Sequence, residues 1–277
     1  MMNQQYSPSG FSLLPPVVKN LLIINGLFFL ATMSLESAFG IDLAKILGLY
    51  YFRSEFFQPY QFITYMFIHA DPGHIFFNMF ALWMFGYLLE NVWGSKRFLT
   101  YYLLTGIGAA ITQTLVQYFT ISSIDSAALV YTQAPSLDAF TAFVQDHFPK
   151  FYENEGTIRN FISSWSLSPL SHEFKDQSVE FVNQLVKLQM DVPTIGASGA
   201  VYGILLAFGW MFPNMLVLVY ILFPIKAKWL VIIYGALEIF YGISNNPSDN
   251  VAHFAHLGGM VFGFFLLLYW KKKAYNN

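Results

Sequence analysis

The 277 residues are 56% hydrophobic and 19% aromatic but only 11% charged, with a mean hydropathy of +0.48, whereas an ordinary soluble domain carries roughly 25% charged residues. That excludes a water-soluble globular protein, and a formal net charge of -2 leaves no basic excess for a nucleic-acid partner. Without cysteine there is no disulfide, thiolate nucleophile or cysteine-ligated metal.

Residues 1–17 read as a short polar tail with neither a basic start nor a small-residue cleavage site, so no cleaved signal peptide is expected. Apolar stretches suited to crossing roughly 30 Å of hydrocarbon follow at about Lys19–Leu35, Pro72–Glu90, Phe98–Phe119, Ser198–Phe212, Trp229–Ile243 and Val251–Trp270. Turn residues such as Pro213-Asn214 and Asn245-Asn246-Pro247 separate the later ones. The apolar piece Met215–Phe223, bracketed by Pro213 and Pro224, is too short to span and is expected as an interfacial connection. If six helices alternate, Lys19, Lys96, Arg97, Lys226, Lys228 and Lys271 to Lys273 fall on one side, which predicts both termini in the cytoplasm.

The opposite side then receives two long segments. Residues 36–71 hold Tyr50, Tyr51, Phe52, Phe56, Phe57 and Tyr60 around Arg53 and Glu55, a composition that suits an interfacial aromatic belt. Residues 121–193 carry nine acidic and four basic side chains, about -5 in all, so they should be solvated outside the membrane. Their apolar residues recur at helical spacing in Leu137, Phe140 and Val144; in Ile158, Phe161, Ile162 and Trp165; and in Val179, Val182, Leu185 and Val186. The chain therefore divides into a cytoplasmic tail (1–17), helices one to three with the first outer loop (18–120), an acidic helical insertion (121–193), and helices four to six with a basic cytoplasmic tail (194–277). The expected fold is an all-α polytopic membrane protein: a six-helix bundle with an extracytoplasmic helical insertion between helices three and four.

Polar groups inside spans are costly, which makes each a functional candidate. His74, Asn78, Ser198, His253 and His256 all fall toward the outer face. His74 and Asn78 are four apart and share one face of helix two. The pairs Gly199/Gly203 and Gly259/Gly263 each form a G-x-x-x-G stripe that should let helices four and six approach closely. Ser198 adjoins one stripe and His256 lies three residues before the other, so close packing would join a hydroxyl to an imidazole able to take its proton. His74, Asn78 and the Ser198 backbone N–H could stabilise an oxyanion, aided by the positive end of helix four. No third carboxylate is evident: Asp249 is nearest in sequence but belongs to the outer loop, so the imidazole would be oriented by packing on Tyr202. Glu238 in span five has no evident role, while Glu90 and His69 read as structural.

Plainer readings exist for each residue alone. A serine beside glycines at a helix start is commonly a cap or packing residue. His253 and His256, at i and i+3, could hold a metal or merely pack. The combination favours a Ser–His dyad, and no metal or cofactor is implied. There is no His-Glu-x-x-His, no pair of intramembrane aspartates and no G-x-S-x-G elbow.

These residues resemble the rhomboid family of intramembrane serine proteases, through Gly196-Ala197-Ser198-Gly199, Ala255-His256-Leu257-Gly258-Gly259, His74-Ile75-Phe76-Phe77-Asn78 and the Trp93-Gly94 stretch. The resemblance implies Ser198 as nucleophile, His256 as general base, His74 with Asn78 at the oxyanion, and Tyr202 stacked on the base. It implies membrane-anchored protein substrates whose spanning helix unwinds near the outer face. The expected location is the bacterial cytoplasmic membrane, with the lipid bilayer as surroundings. The sequence departs from the family at Tyr60-Gln61, where many members carry Trp-Arg, and in the long segment before helix four. The alternative is a catalytically silent relative that binds transmembrane helices without cutting them.

Overall fold

Proline in the first turn, where its missing N–H is no loss, opens the first two long helices of the computed structural model, which describes residues 11–154, 156–219, 223–244 and 251–275. Helix α1 runs Pro16–Phe39 and closes on Gly40, whose φ of 66° is left-handed. Then come α2 (Leu43–Leu47), α3 (Gln61–Thr64) with a tight 3-10 turn at Tyr65–Phe67, α4 (Pro72–Trp93) and α5 (Ser95–Gln133). Four helices, α6 (Leu137–His147), α7 (Pro149–Asn154), α8 (Gly156–Ser166) and α9 (His172–Met190), precede α10 (Ser198–Met211). The chain continues through strands β1 (Leu216–Val219) and β2 (Phe223–Lys226) to α11 (Ala227–Ser244) and α12 (His253–Tyr275).

The architecture is an all-α polytopic bundle with one addition. Within the stretch expected only as an interfacial connection, β1 pairs antiparallel with β2, Leu216 opposite Lys226 and Val219 opposite Phe223. Pro224 is tolerated there because a two-stranded sheet is all edge. Among the described residues, five helices, α1, α4, α5, α11 and α12, are long and apolar enough to cross a membrane. The fourth expected span, α10, has 14 residues, about 21 Å at 1.5 Å per residue. It lies inside the bundle, with Ala200, Ile204 and Ala207 fully buried among α4, α5, α11 and α12.

Glu90 shows how the ends are fastened. Its buried carboxylate accepts from the backbone N–H of Val17 at 2.9 Å and Val18 at 2.8 Å, and from Ser95 Oγ at 2.6 Å. These are orphan donors at the start of α1, and an anion there also meets the positive end of the helix. At the same end, the Arg97 guanidinium sits 4.2 Å over the Trp270 ring of α12.

The glycine stripes act differently from expectation. A Cβ on Gly259 would collide with the Gly199 carbonyl, so these two do form the α10–α12 crossing. Gly203 and Gly263 instead face α5: a Cβ on Gly203 would lie 2.7 Å from Thr105 Cβ, and one on Gly263 would strike Tyr101 Oη. Tyr101 Oη donates to the Gly203 carbonyl at 3.0 Å. The small residues thus admit a third helix between the other two, a packing that one-dimensional spacing cannot distinguish from a helix pair.

Helix α5 also outruns the expected end of span three at Phe119. No proline or glycine follows Gly108 until Pro135, so the helix continues to Gln133 and buries Ile124, Ala128 and Tyr131 in a second hydrophobic core. That core is completed by Phe140, Val144, Ile158, Trp165, Val182 and Val186, the apolar stripes of α6, α8 and α9. Phe140, Phe161 and Trp165 interlock, with centroids 5.3 to 6.1 Å apart.

The first loop is only partly a surface belt. Tyr50 and Tyr51 are buried at 2% and 1% exposure, whereas Phe52, Phe56 and Tyr60 stand out. Gln61, also buried, donates from Nε2 to the carbonyls of Ile46 (3.2 Å) and Phe56 (2.9 Å) and accepts from Gln58 N at 3.0 Å. A buried amide survives only with such partners, and here it ties the loop to itself. Arg53 pairs with Asp125 of α5, Glu55 with Lys187 of α9 at 2.9 Å, and Ser54 Oγ donates to Asp191 at 2.6 Å.

Candidate active site

The segment leading to Ser198 is held on both sides before the helix begins. Leu49 and Thr194 form an antiparallel bridge with N–H···O distances of 2.9 and 2.8 Å, and Gly196 N donates to the Tyr65 carbonyl at 2.9 Å. Gly196 has φ 118°, a backbone region that L side chains rarely adopt. A Cβ there would lie 2.7 Å from His74 Nε2 and 3.7 Å from Ser198 Oγ. The missing side chain therefore lets the imidazole and the hydroxyl flank one spot.

Ser198 is the first residue of α10, and Ala197 occupies the cap position without a side-chain hydrogen bond. The Ser198 hydroxyl is thus not the helix cap. It lies 2.7 Å from His256 Nε2, contributed by the first turn of α12. The Tyr202 ring, one turn along α10, stacks on the His256 imidazole with centroids 4.2 Å apart and planes 7° apart.

On the other side of the base stands Glu238 of α11, 6% exposed. Its Oε2 is 2.6 Å from His253 Nδ1 and 2.9 Å from His256 Nδ1, and its Oε1 accepts from Tyr202 Oη. The His256 contact has ion-pair length, but the ring N–H lies off the line of a full hydrogen bond. The structure thus corrects two expectations: a third carboxylate does face the base, and the carboxylate without an evident role is the one. Asp249 lies outside the described residues. A carboxylate in span five was itself the available signal, since an ionisable group in an apolar helix needs a partner; the spacing did not say which face of α11 meets α12.

His74 opens α4 beneath Asp71, whose side chain caps the helix by accepting His74 N at 2.9 Å. Its Nδ1 accepts from Ala70 N at 3.3 Å, leaving Nε2 toward Gly196. Asn78 is buried and donates from Nδ2 to the His74 carbonyl at 2.9 Å. His69 packs edge-on against His74, ring centroids 5.0 Å apart, at 2% exposure. Burial, and next the neighbouring His74, hold its imidazole down at about 4; the Phe67 carbonyl and Asp71 pull the other way, although neither ring nitrogen completes a hydrogen bond.

Among the described residues, Glu238, His253 and His256 form the one group able to offer three metal-ligand atoms within 4.8 Å of one another. In this arrangement Oε2 already touches both imidazole nitrogens directly. What the constellation offers chemically is an uncapped hydroxyl against an imidazole, with an imidazole from α4 opposite it and a helix N-terminus beneath it.

A family model described as the Rhomboid domain matches residues 57–129 and 147–273. Over 109 residues the chain is 30% identical to Rhomboid-like protein 11, chloroplastic, of Arabidopsis thaliana, which is 39% of each chain. Over 60 residues it is 37% identical to Rhomboid protease AarA of Providencia stuartii, 22% of this chain and 21% of that one. The chain therefore spans well under half the length of these curated relatives.

Proposed function

This chain belongs to the rhomboid family, and from that premise we propose that it is a serine-type intramembrane endopeptidase that cuts membrane-anchored proteins in or near their transmembrane segments. One observation carries the reading: the Ser198 hydroxyl, relieved of capping, meets His256 Nε2 at 2.7 Å. In the proposed reaction Nε2 takes the Ser198 proton as Oγ attacks the scissile carbonyl. The oxyanion that forms is met by the Ser198 backbone N–H at the positive end of α10, by Asn78 and by His74. Collapse returns the proton from His256 to the leaving amine and leaves an acyl-Ser198. Water, activated by the same imidazole, then releases the new carboxylate.

A peptide bond must be extended before a nucleophile can reach it. Suitable substrates therefore carry helix-breaking or small residues near the outer end of their spanning segment. Arg97 sits over Trp270, next in sequence to Lys271 to Lys273, and Glu90 clasps the start of α1 near Lys19, so these basic residues share one end of the bundle, which supports an orientation with both termini in the cytoplasm. The bacterial cytoplasmic membrane is the proposed location. Reporters fused after Lys273 and within 95–97 should then read as cytoplasmic and one placed after Ser168 as external; an external C-terminus would invert the orientation.

The test of activity is to incubate the purified protein in detergent with a model transmembrane substrate and, separately, with a fluorescent fluorophosphonate. Cleavage and labelling by the wild type, both absent from Ser198→Ala, are expected. Binding of the substrate without cleavage or labelling would favour the catalytically silent alternative.

A further inference from the structure

Glu238 is the one carboxylate of α11, and every feature around it turns it toward the base. Ionised carboxylates in apolar spans are tolerated when their oxygens are fully engaged. Here Oε1 accepts from Tyr202 Oη, and Oε2 faces His253 Nδ1 at 2.6 Å and His256 Nδ1 at 2.9 Å. Tyr202 closes the arrangement by doing two things at once: its ring lies flat on the His256 imidazole, and its hydroxyl holds the carboxylate.

The tautomer of His256 follows from Ser198. An imidazole can receive the serine proton only on an unprotonated nitrogen, and Nε2 is the nitrogen at the hydroxyl, so the ring proton must reside on Nδ1. Nδ1 has no full hydrogen bond elsewhere and points into the neighbourhood of Glu238 Oε2. When Nε2 takes the serine proton, the ring becomes a cation 2.9 Å from that oxygen, in surroundings where His256 and Glu238 are 7% and 6% exposed. The charge pair is therefore shielded from water as it forms.

We propose that Glu238 is a positioning residue for the base: it selects the Nδ1-protonated form of His256 and stabilises the imidazolium, so that Ser198, His256 and Glu238 act as a triad. His253 is the second anchor of the carboxylate and keeps Oε2 in place between the two rings. This inference rests on the protease reading above.

The experiment uses the full chain in detergent, with steady-state cleavage of a transmembrane substrate, the rate of fluorophosphonate labelling at Ser198, and the thermal midpoint. Glu238→Gln keeps the shape and removes the charge; kcat per labelled site should fall on the order of 10²- to 10⁴-fold, with KM within about twofold and the midpoint unchanged. Glu238→Asp should recover at least about tenfold of that loss, since charge and not shape is what the base requires. Tyr202→Phe keeps the stacked ring and frees Oε1, and should lower kcat several-fold; it carries the test if Glu238→Gln does not fold. A Glu238→Gln or Tyr202→Phe enzyme with wild-type kcat overturns the proposal, as does a Glu238→Asp enzyme no better than Glu238→Gln. Loss of wild-type activity in EDTA with recovery on added zinc overturns it too, because the three side chains would then be metal ligands. A wild type that neither cleaves nor labels, whatever Glu238 carries, refutes the protease reading itself and the triad with it.

Discussion

Replacing Gly259 with alanine should separate Ser198 from its base while leaving both side chains in the protein. A methyl group on Gly259 collides with the Gly199 carbonyl, and ordinary contact begins only at 3.4 Å, so α10 and α12 must part by more than about 1 Å at this crossing. Ser198 adjoins Gly199, and His256 lies one turn before Gly259. Most of that opening is therefore delivered to the 2.7 Å Ser198–His256 hydrogen bond, carrying it beyond the roughly 3.5 Å at which such a bond is lost. A misplacement of about 1 Å slows catalysis about 100-fold, and the overpacking itself costs about 1–3 kcal/mol. Gly235→Ala is the matched control, since its Cβ would rest 3.4 Å from the flexible end of Met260; it should stay within about twofold of wild type. The assay is cleavage of a fluorogenic transmembrane substrate, normalised to folded protein by thermal melting, beside the labelling rate at Ser198. A Gly259→Ala enzyme with undiminished kcat would refute the claim that this glycine contact sets the distance in the site.

Asn78→Ala and His74→Ala should each lower kcat about tenfold or more with little change in KM, as for groups used mainly in the transition state; a rise in KM alone would remove that residue from the oxyanion site. Trp165→Ala empties the centre of the second core and should destabilise it by about 3–5 kcal/mol, read as faster limited proteolysis within 135–190 while Ser198 still labels. His69 predicts a pH dependence of stability. Its folded value of about 4 lies below the ordinary 6.5, so the unfolded chain binds the proton first, and stability is full above pH 6.5 and lost as pH falls toward 4. Between pH 7 and pH 5 the loss is about 2 kcal/mol. His69→Gln should flatten this slope in thermal melts, and an unchanged slope would show that another group titrates.

The residues easiest to read in the sequence were those whose chemistry conflicts with their surroundings. Ser198, His256, His74 and Asn78 stand out because polar groups in apolar helices need a reason; helical spacing put His74 and Asn78 on one face, and the glycine stripes beside Ser198 and His256 related those two. Glu238 stood out equally, yet its partners lie 15 and 18 residues downstream on the next helix, and spacing within α11 says nothing about which neighbour that face meets. The same limit applies to the glycines: Gly203 and Gly263 announce close packing, but only the folded bundle identifies α5 as the occupant. Hydropathy marks where an apolar run ends and not where a helix ends. Ser122, Ser123 and Asp125 end an apolar run, but nothing in them breaks a helix, so α5 passes through them. Helix α10 shows the converse, because an element surrounded by other helices need not be long enough to meet lipid at both ends.

The uninterrupted course of α5 has a mechanical meaning. Its 39 residues extend about 58 Å, and with no glycine or proline after Gly108 the segment beyond it has no hinge. Tyr131 at the far end is buried in the second core, while Thr105 and Ala109 nearer the start press on Gly203 and Gly199. One rod therefore carries the second core at its far end and, nearer its start, the side chains against which α10 rests. The return path is a tether, fastened where Ser54 meets Asp191 and where Leu49 pairs with Thr194. The acidic appendage is thus joined to the Ser198 end of α10 along two routes, the continuous α5 rod and the bridged return segment.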